Sequence, residues 1–350
     1  MMRLEPRPPS SMAEKMLWPA GAIVATIVIS SVLVMIAGAS PFTVFWLVIK
    51  GAAGSQFAFL ETLTRATPLI FTGLAVAVAF RAKLWNIGAE AQLYLGAVMT
   101  VVIGTGAVTL PSAGLIPLIM MAAMLTGALT LLGPAILKTK FGVDEVVTTL
   151  LLNFIVLLFV SMLLEGPLKD PTGMGWPQSK RVIADAQLPR LIKGKRLHFG
   201  FVLAIFSAIV VWVIMKKTTL GYEMRAVGHN AEAARFAGIP VNRVIAKTAL
   251  LSGGLAALAG FSEVAGLKGN LTLDLSPGYG YTGIVVAMLA MLNPLGVIAA
   301  AIFVAGIFVG ADAMSRSANV PSYIAEVMVA TSLLTMVAAI MLMRYRVRWR

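Results

Sequence analysis

The sequence contains no cysteine and only two histidines among its 350 residues. The absence of cysteine excludes a disulfide framework and thiol chemistry. The chain also has neither a His-Glu-x-x-His metalloprotease motif nor a Gly-x-x-x-x-Gly-Lys-Ser/Thr phosphate-binding loop. We therefore expect no catalytic residue, no metal site and no cofactor, and no motif supports a membrane-embedded enzyme. If ATP drives this protein, another chain must bind the nucleotide.

Charged residues are scarce as well, at 12% of the sequence, whereas apolar residues make up 59%. One soluble core cannot hide so much apolar surface, so the composition indicates a polytopic membrane protein. In a soluble protein the net charge of +13 would suggest nucleic acid as a partner. No basic stripe is interleaved with aromatic residues, and anionic lipid headgroups and topology explain the charge better. We expect contact with membrane lipid and none with nucleic acid.

Apolar runs near the ~20 residues that a bilayer requires predict an all-α fold with about ten transmembrane helices. The predicted spans are 18–39, 61–80, 87–106, 113–137, 142–164, 199–215, 244–266, 279–292, 295–312 and 324–343. Basic residues before a long apolar run make the N-terminus superficially similar to a signal peptide. The run is too long for a typical signal sequence and many spans follow, so it is interpreted as an uncleaved first span.

Basic residues also predict the orientation, because cytoplasmic loops are enriched in lysine and arginine. With the N-terminus inside, more than half of the 28 lysines and arginines fall on the cytoplasmic side, and both termini are cytoplasmic. This topology gives an N-terminal segment 1–17, a single transmembrane domain 18–343 and a basic tail 344–350. Residues 216–243 are then cytoplasmic and 165–197 form an irregular external loop. That loop is itself rich in basic residues, and a cytoplasmic position for it would make the span count wrong.

A polar segment, 221–240, separates two long apolar spans. Asn230 is suited to be the N-cap of a short helix, and Glu232 lies in the first turn, where the helix dipole favours an anion. We predict two short helical turns broken at Gly228, the second ended by Gly238 and followed by Pro240. Spacings of three and four residues predict a narrow apolar stripe suited to a partner's groove. This stripe comprises Met224, Val227, Ala231 and Ala234.

Two motifs carry a family resemblance. Residues 228–239, Gly-His-Asn-Ala-Glu-Ala-Ala-Arg-Phe-Ala-Gly-Ile, resemble the cytoplasmic coupling-helix segment of ABC importer permeases. Residues 84–92, Leu-Trp-Asn-Ile-Gly-Ala-Glu-Ala-Gln, are similar to the Asn-Ile-Gly-x-Glu-Gly-Gln pattern of permeases for simple sugars, nucleosides and branched-chain amino acids. Ala91 stands where that pattern usually has its second glycine. The likeness extends over most of the chain and is strongest to permeases of purine-nucleoside importers.

The resemblance implies a permease subunit of an ATP-driven importer in the bacterial inner membrane. It would form the path for a nucleoside or a similar neutral polar solute, with a simple sugar or branched-chain amino acid as the alternative. Implied partners are an ABC ATPase, a second homologous permease, and an extracytoplasmic substrate-binding protein or lipoprotein. The loop 165–197 would be the surface on which the substrate-binding protein docks, or simply a solvated loop. The residues assigned to ATPase coupling are Glu223, Arg225, Gly228, Asn230, Glu232, Arg235 and Gly238.

Polar residues inside the predicted spans are candidates for the translocation path. A carboxyl group facing lipid is costly, so Glu90 is expected to face water or a partner helix. Asn86 lies four residues earlier and is expected on the same helical face. The glycine-rich break 266–281 suits irregular backbone, which is tolerated at membrane depth only beside protein or water. The predicted path residues are Trp85, Asn86, Glu90, Gln92, Asn153, Asn270, Tyr279 and Tyr281.

Structural alternatives remain for these residues. Asn86 and Glu90 could instead hold the bundle together through interhelical hydrogen bonds, and Asn153 could serve packing alone. A stand-alone secondary transporter would need a proton or sodium relay within the membrane, and Glu90 and Glu263 are the only candidate residues for it. Such a transporter would also leave the polar segment 221–240 without a function.

A faint internal repeat suggests two inverted halves. Small-residue runs at 73–79 and 254–260 each precede a polar break and a second apolar run. Two inverted-topology halves with the path at their interface would produce this pattern. Close helix packing through small residues, including Gly306 and Gly310, explains the same glycines without a repeat.

Overall fold

The computed structural model describes residues 2–6, 12–36, 38–173, 175–318 and 323–349. Helices dominate these ranges: α1 Met12–Ile36, α2 Pro41–Ala53, α3 Gln56–Arg81, α4 Ala89–Gly104, α5 Ser112–Phe141, α6 Glu145–Glu165, α7 Gly200–Lys217, α8 Thr219–His229, α9 Ala231–Phe236, α10 Val241–Ser262, α11 Tyr279–Leu289, α12 Pro294–Ala318 and α13 Tyr323–Arg344. A π-helix, Glu263–Lys268, continues α10, and Ala184–Ala186 forms a 3₁₀ turn. Strands β1 Met2–Pro6 and β2 Tyr345–Trp349 pair antiparallel. The predicted all-α class is confirmed, with this terminal ribbon as an addition.

Every predicted span coincides with a helix. In the described chain seven helices are long and apolar enough to cross a membrane, and α1 with α2, bent by 114°, makes up to eight. Two shorter apolar helices, α4 and α11, complete the set. The chain is therefore a multi-pass membrane protein, while ten crossings and inverted halves stay predictions. Helix α2 was not predicted, because its 13 residues are fewer than the ~20 that a span requires.

The chain divides into two compact units. The first combines 1–62 with 303–350. Here α1 packs on α13, where the hydroxyl groups of Thr26 and Thr335 lie 2.8 Å apart. The Cα atom of Gly310 in α12 lies so close to the backbone carbonyl of Val48 in α2 that a side chain there would overlap it. The small residues of α12 thus allow close packing of α2.

The second unit, 63–302, has its core where α10 packs against α4 and α5. Small residues line both contacts. Gly253 of α10 and Gly127 of α5 each approach the other's backbone carbonyl, and Gly260 approaches the carbonyl of Leu93 in α4. Close backbone contact of this kind is a main source of attraction between helices in lipid, since the hydrophobic effect does not favour helix association there.

The loop between α6 and α7 belongs to the second unit. It is irregular, as predicted, and it pairs with the segment after the π-helix. Ser179 N–H donates to the Leu271 carbonyl at 2.9 Å, and Val182 N–H donates to the Gly269 carbonyl at 2.8 Å. These bonds satisfy backbone groups that would otherwise lack partners. The position of the α6–α7 loop on the external side of the membrane remains a prediction.

Candidate translocation and coupling sites

The first polar break lies between α3 and α4. Asn86 precedes α4, which begins at Ala89, so the prediction that Asn86 and Glu90 share a helical face is wrong. Instead, the amides of Asn86 and Gln92 pair: Asn86 Nδ2 donates to Gln92 Oε1 at 2.9 Å, and Gln92 Nε2 donates to Asn86 Oδ1 at 3.0 Å. Asn86 Nδ2 also donates to Ser252 Oγ of α10 at 3.0 Å. Both amides are completely buried, so they hold the break against α10.

Helix α6 supplies partners for the backbone of this break. Glu145 Oε1 accepts the N–H of Trp85 at 3.2 Å, and Thr149 Oγ1 accepts the N–H of Ile87 at 3.3 Å. Lys138 forms an ion pair with the same Glu145 carboxylate. Irregular backbone at membrane depth needs such partners, because lipid offers none.

Asn153 continues the same face of α6 and links both breaks. Its Oδ1 atom accepts the N–H of Ala91 at 2.9 Å, and its Nδ2 atom donates to the Ile87 carbonyl at 3.0 Å. Nδ2 also donates to the hydroxyl of Tyr281 in α11 at 2.9 Å. Sequence analysis did not recognise the row of Glu145, Thr149 and Asn153, although its four-residue spacing places all three on one helical face.

Glu90 and Tyr94 of α4 reach the second break directly. Glu90 Oε2 accepts the N–H of Gly280 at 2.6 Å, in the first turn of α11. The Tyr94 hydroxyl donates to the Leu273 carbonyl at 2.6 Å and accepts the N–H of Ser276 at 3.3 Å. Glu90 is only 3% exposed. The two breaks are thus joined side by side within the second unit.

The remaining predicted path residues differ in exposure. Trp85 is 42% exposed, with its ring edge-to-face with Phe80, and Tyr281 is 40% exposed. Tyr279 is buried. Asn270 contacts the α6–α7 loop, where its Nδ2 donates to Gln178 Oε1 at 3.3 Å. Trp85 and Tyr281 are therefore the two predicted path residues with substantial accessible surface.

Glu263, the other carboxyl considered for a relay, is the first residue of the π-helix and is 1% exposed. Its Oε1 atom has no hydrogen-bond partner among the described residues.

The predicted coupling segment, residues 216–243, contains two short helices, α8 and α9, as predicted. Asn230 is confirmed as the N-cap of α9, since its Oδ1 accepts the N–H groups of Glu232 and Ala233 at 3.0 Å each. Gly238 follows α9 with a φ of +83°, the left-handed conformation common at helix ends. The predicted break at Gly228 is wrong, because α8 continues to His229. Gly228 is instead required for contact, since its Cα lies against the backbone carbonyl of Arg81.

The interpretation of the apolar stripe as a partner-facing surface is also wrong. Met224, Val227 and Ala234 are buried within this chain, because α8 and α9 pack on α7 and α10. Ala231 alone of the stripe is exposed.

The exposed face of the segment is different. Phe236 is 96% exposed, and Glu232 and Arg235 beside it are exposed as well. Arg225 is held by a hydrogen bond from its guanidinium group to the Met215 carbonyl, and Glu223 is half-buried. Phe236 was not among the predicted site residues, although an aromatic residue in a short polar helix is a signal that the sequence contains.

Long apolar helices, two polar breaks joined within the second unit and a pair of short polar helices are together typical of a membrane transport protein of the permease class. The family model described as branched-chain amino acid transport system / permease component matches residues 58–343, and the chain belongs to this family. It is a transmembrane permease subunit of an ABC transporter, and ATP hydrolysis in such transporters belongs to a separate ATPase chain.

Relatives match over nearly the whole chain. The glucose ABC transporter permease protein of Haloferax volcanii is 36% identical over 339 residues, covering 94% of this chain and 89% of the relative. The guanosine ABC transporter permease protein of Bacillus subtilis is 34% identical, covering 91% and 92%. The nucleoside ABC transporter permease protein of Lactococcus lactis subsp. cremoris is 31% identical, covering 90% and 89%.

Proposed function

We propose that this permease imports nucleosides or similar neutral polar solutes. Two of the three relatives described above carry guanosine or nucleoside in their names, and each aligns with about nine tenths of the chain. A simple sugar is the second candidate, favoured by the 36% identity to a glucose permease. Branched-chain amino acids are suggested only by the family description. Membership of an ABC permease family argues against a stand-alone secondary transporter.

The proposed path runs beside the two joined breaks. Trp85 and Tyr281 carry the accessible surface there, and their rings can stack on a planar base. The buried set of Asn86, Glu90 and Gln92 would hold the path wall in shape. In this proposal α4 and α11 are the short, discontinuous helices that transporters place around a substrate path. Behind that wall, Tyr279, Asn153 and Asn270 would support it.

The coupling segment is proposed to dock on the ATPase. Phe236 is almost fully exposed on a helix only six residues long, and phenylalanine and arginine are both enriched at protein–protein interfaces. Glu232 and Arg235 would flank it in the contact. The remaining assigned residues, Glu223, Arg225, Gly228, Asn230 and Gly238, would shape and hold the segment.

The wider assembly follows from this proposal. The permease domain 18–343 would lie in the bacterial inner membrane, with segment 1–17, residues 216–243 and tail 344–350 in the cytoplasm. A second homologous permease would complete the path, and an extracytoplasmic binding protein or lipoprotein would dock on 165–197. No cofactor is assigned to this chain, because ATP would bind the partner ATPase.

Reconstitution of the complete importer tests the substrate. Proteoliposomes containing this chain, its ATPase and its second permease should take up labelled guanosine when the binding protein is supplied. Unlabelled nucleosides should compete, and glucose should not. Competition by glucose alone would replace the nucleoside assignment with the sugar assignment.

The same proteoliposomes test the docking surface. Phe236→Ala and Arg235→Ala should each weaken docking of the ATPase by about 30-fold, the change in affinity that corresponds to about 2 kcal/mol at a hot-spot residue, and should thereby lower substrate-stimulated ATP hydrolysis. Phe141→Ala, at an exposed aromatic residue outside 216–243, is the matched control and should retain coupling. Normal coupling after charge reversal at both Glu232 and Arg235, together with Phe236→Ala, would refute docking through this face.

A further inference from the structure

A basic cavity of about 500 Å³ opens beside the coupling segment within the second unit. Its polar lining consists of Arg81 at the end of α3, Trp212 and Lys216 near the end of α7, Arg225 of α8, and Asn293. The residues that line it in the described chain include no aspartate or glutamate. None of the predicted path residues lines the cavity, so it is a site additional to the proposed path.

Backbone carbonyl groups hold the two arginines of this basic cavity. Arg81 Nη2 donates to the Leu292 carbonyl at 3.1 Å, and the guanidinium group of Arg225 donates to the Met215 carbonyl. The buried Nε atom of Arg81 has no hydrogen-bond partner among the described residues. A guanidinium group has five N–H donors, so one carbonyl fixes its position and leaves donors for a ligand. A carbonyl group is uncharged, so both arginines keep their full positive charge.

Lys216 adds a third positive charge to the cavity. Its Nζ atom lies 5.4 Å from the centroid of the Trp212 ring, a distance at which the ring face attracts a cation without neutralising it. Among the described residues, no carboxylate forms an ion pair with Lys216, Arg81 or Arg225. Three cations therefore line one cavity with no negative charge to compensate them, and the resulting field favours an anion there.

We propose that this basic cavity binds one phosphate group. Guanidinium forks match phosphate oxygens, and an ammonium group binds phosphate as a point charge. A tetrahedral phosphate directs its oxygens to several sides, whereas a carboxylate has only two, in one plane. Cations from the three helices α3, α7 and α8 therefore suit phosphate better than carboxylate. The phosphate group belongs either to a soluble anion or to the headgroup of an anionic phospholipid, because both present the same oxygens. Once bound, it joins α8 of the coupling segment to the end of α3.

Equilibrium dialysis of the purified chain with labelled inorganic phosphate tests binding of a soluble anion. At constant ionic strength one phosphate should bind per chain, and acetate should compete much more weakly. Lys216→Gln should weaken binding by at least about tenfold, the loss expected when one charge-assisted hydrogen bond is removed, whereas Lys216→Arg should retain it. Lys217→Gln is the matched control, because it removes the same charge from an exposed neighbour that does not line the cavity.

Native mass spectrometry of the delipidated chain tests the phospholipid as the source of the phosphate group. If a headgroup supplies it, phosphatidylglycerol should bind more tightly than phosphatidylcholine, whose choline cation opposes the charge of the cavity. Lys216→Gln should then lose this preference, and Lys217→Gln should keep it. Binding of inorganic phosphate without a preference for phosphatidylglycerol assigns the site to a soluble anion.

Thermal unfolding of each variant verifies that it is folded. If Lys216→Gln and Lys217→Gln bind both probes equally, the cations of the cavity serve only the contacts within the chain, and the proposal is wrong.

Discussion

Glu90 Oε2 accepts a hydrogen bond of 2.6 Å from the backbone N–H of Gly280, 190 residues later in the chain. The carboxylate thereby lies at the N-terminal turn of α11, where the positive end of the helix dipole favours an anion. The same side chain projects from the first turn of α4. One carboxyl group thus fastens together the starts of both short helices.

We predict that Glu90→Leu destabilises the protein and that Glu90→Gln does so much less. Leucine leaves the buried N–H of Gly280 without a partner, which costs about 1–3 kcal/mol, whereas the glutamine carbonyl can still accept it. Membrane abundance and detergent unfolding temperature measure this difference. Full stability of Glu90→Leu would show that the bond does not hold the helices.

Measurement of substrate uptake distinguishes this structural role of Glu90 from a role in the translocation path. If Glu90 only fastens the helices, surviving Glu90→Leu protein should transport normally, at the rate per molecule of the wild type. If it also borders the path, Glu90→Gln should keep its abundance and lose uptake. Wild-type uptake and full abundance in Glu90→Leu would contradict both roles.

Gly260→Ala should destabilise the second unit. The added methyl group would overlap the Leu93 carbonyl, and overpacking of this kind costs about 1–3 kcal/mol. Gly133→Ala is the matched control, because it also lies within a helix but has open space around it. Alanine there should be neutral or stabilise by up to about 1 kcal/mol. Unfolding temperatures should shift in opposite directions, and equal shifts would argue against close contact of α4 and α10.

Stability should fall at acidic pH through His198. Burial lowers the pKa of His198 to about 4, whereas the unfolded side chain titrates near 6.5. The folded state therefore favours the neutral ring, so stability is lost as the pH falls from about 6.5 to about 4, by as much as about 3 kcal/mol.

His198→Gln should flatten this pH dependence, because glutamine can still accept the Gly200 N–H that Nδ1 of His198 accepts at 3.2 Å and carries no titrating proton. His229→Gln changes an exposed histidine and should keep the slope. Unfolding temperatures between pH 4 and 7 measure both variants, and an unchanged slope in His198→Gln would reject the assignment.

The predicted topology is testable with introduced cysteines, since the chain has none. Lys180→Cys in the α6–α7 loop and Thr219→Cys at the start of α8 are both exposed. An impermeant thiol reagent should label the first from outside intact cells and the second only after permeabilisation. Labelling of both from the same side would refute the predicted orientation.

Local sequence signals predicted the helices well. Apolar length located the long spans, and Asn230 was recognisable as an N-cap because a cap depends on hydrogen bonds two and three residues away. The two motifs, 84–92 and 228–239, indicated the family that the full-length relatives then showed. Helix α2 was not predicted, because it is shorter than a membrane span.

Only the tertiary structure decided which polar groups pair. The sequence suggested that Asn86 and Glu90 share a helical face, yet Asn86 pairs with Gln92 and Glu90 with Gly280. It also suggested a partner-facing stripe at Met224, which packs inside its own chain. Periodicity reports the face of a helix and not the neighbour that covers it. Buried donors and acceptors take partners from distant segments, so these choices are fixed only when the helices pack.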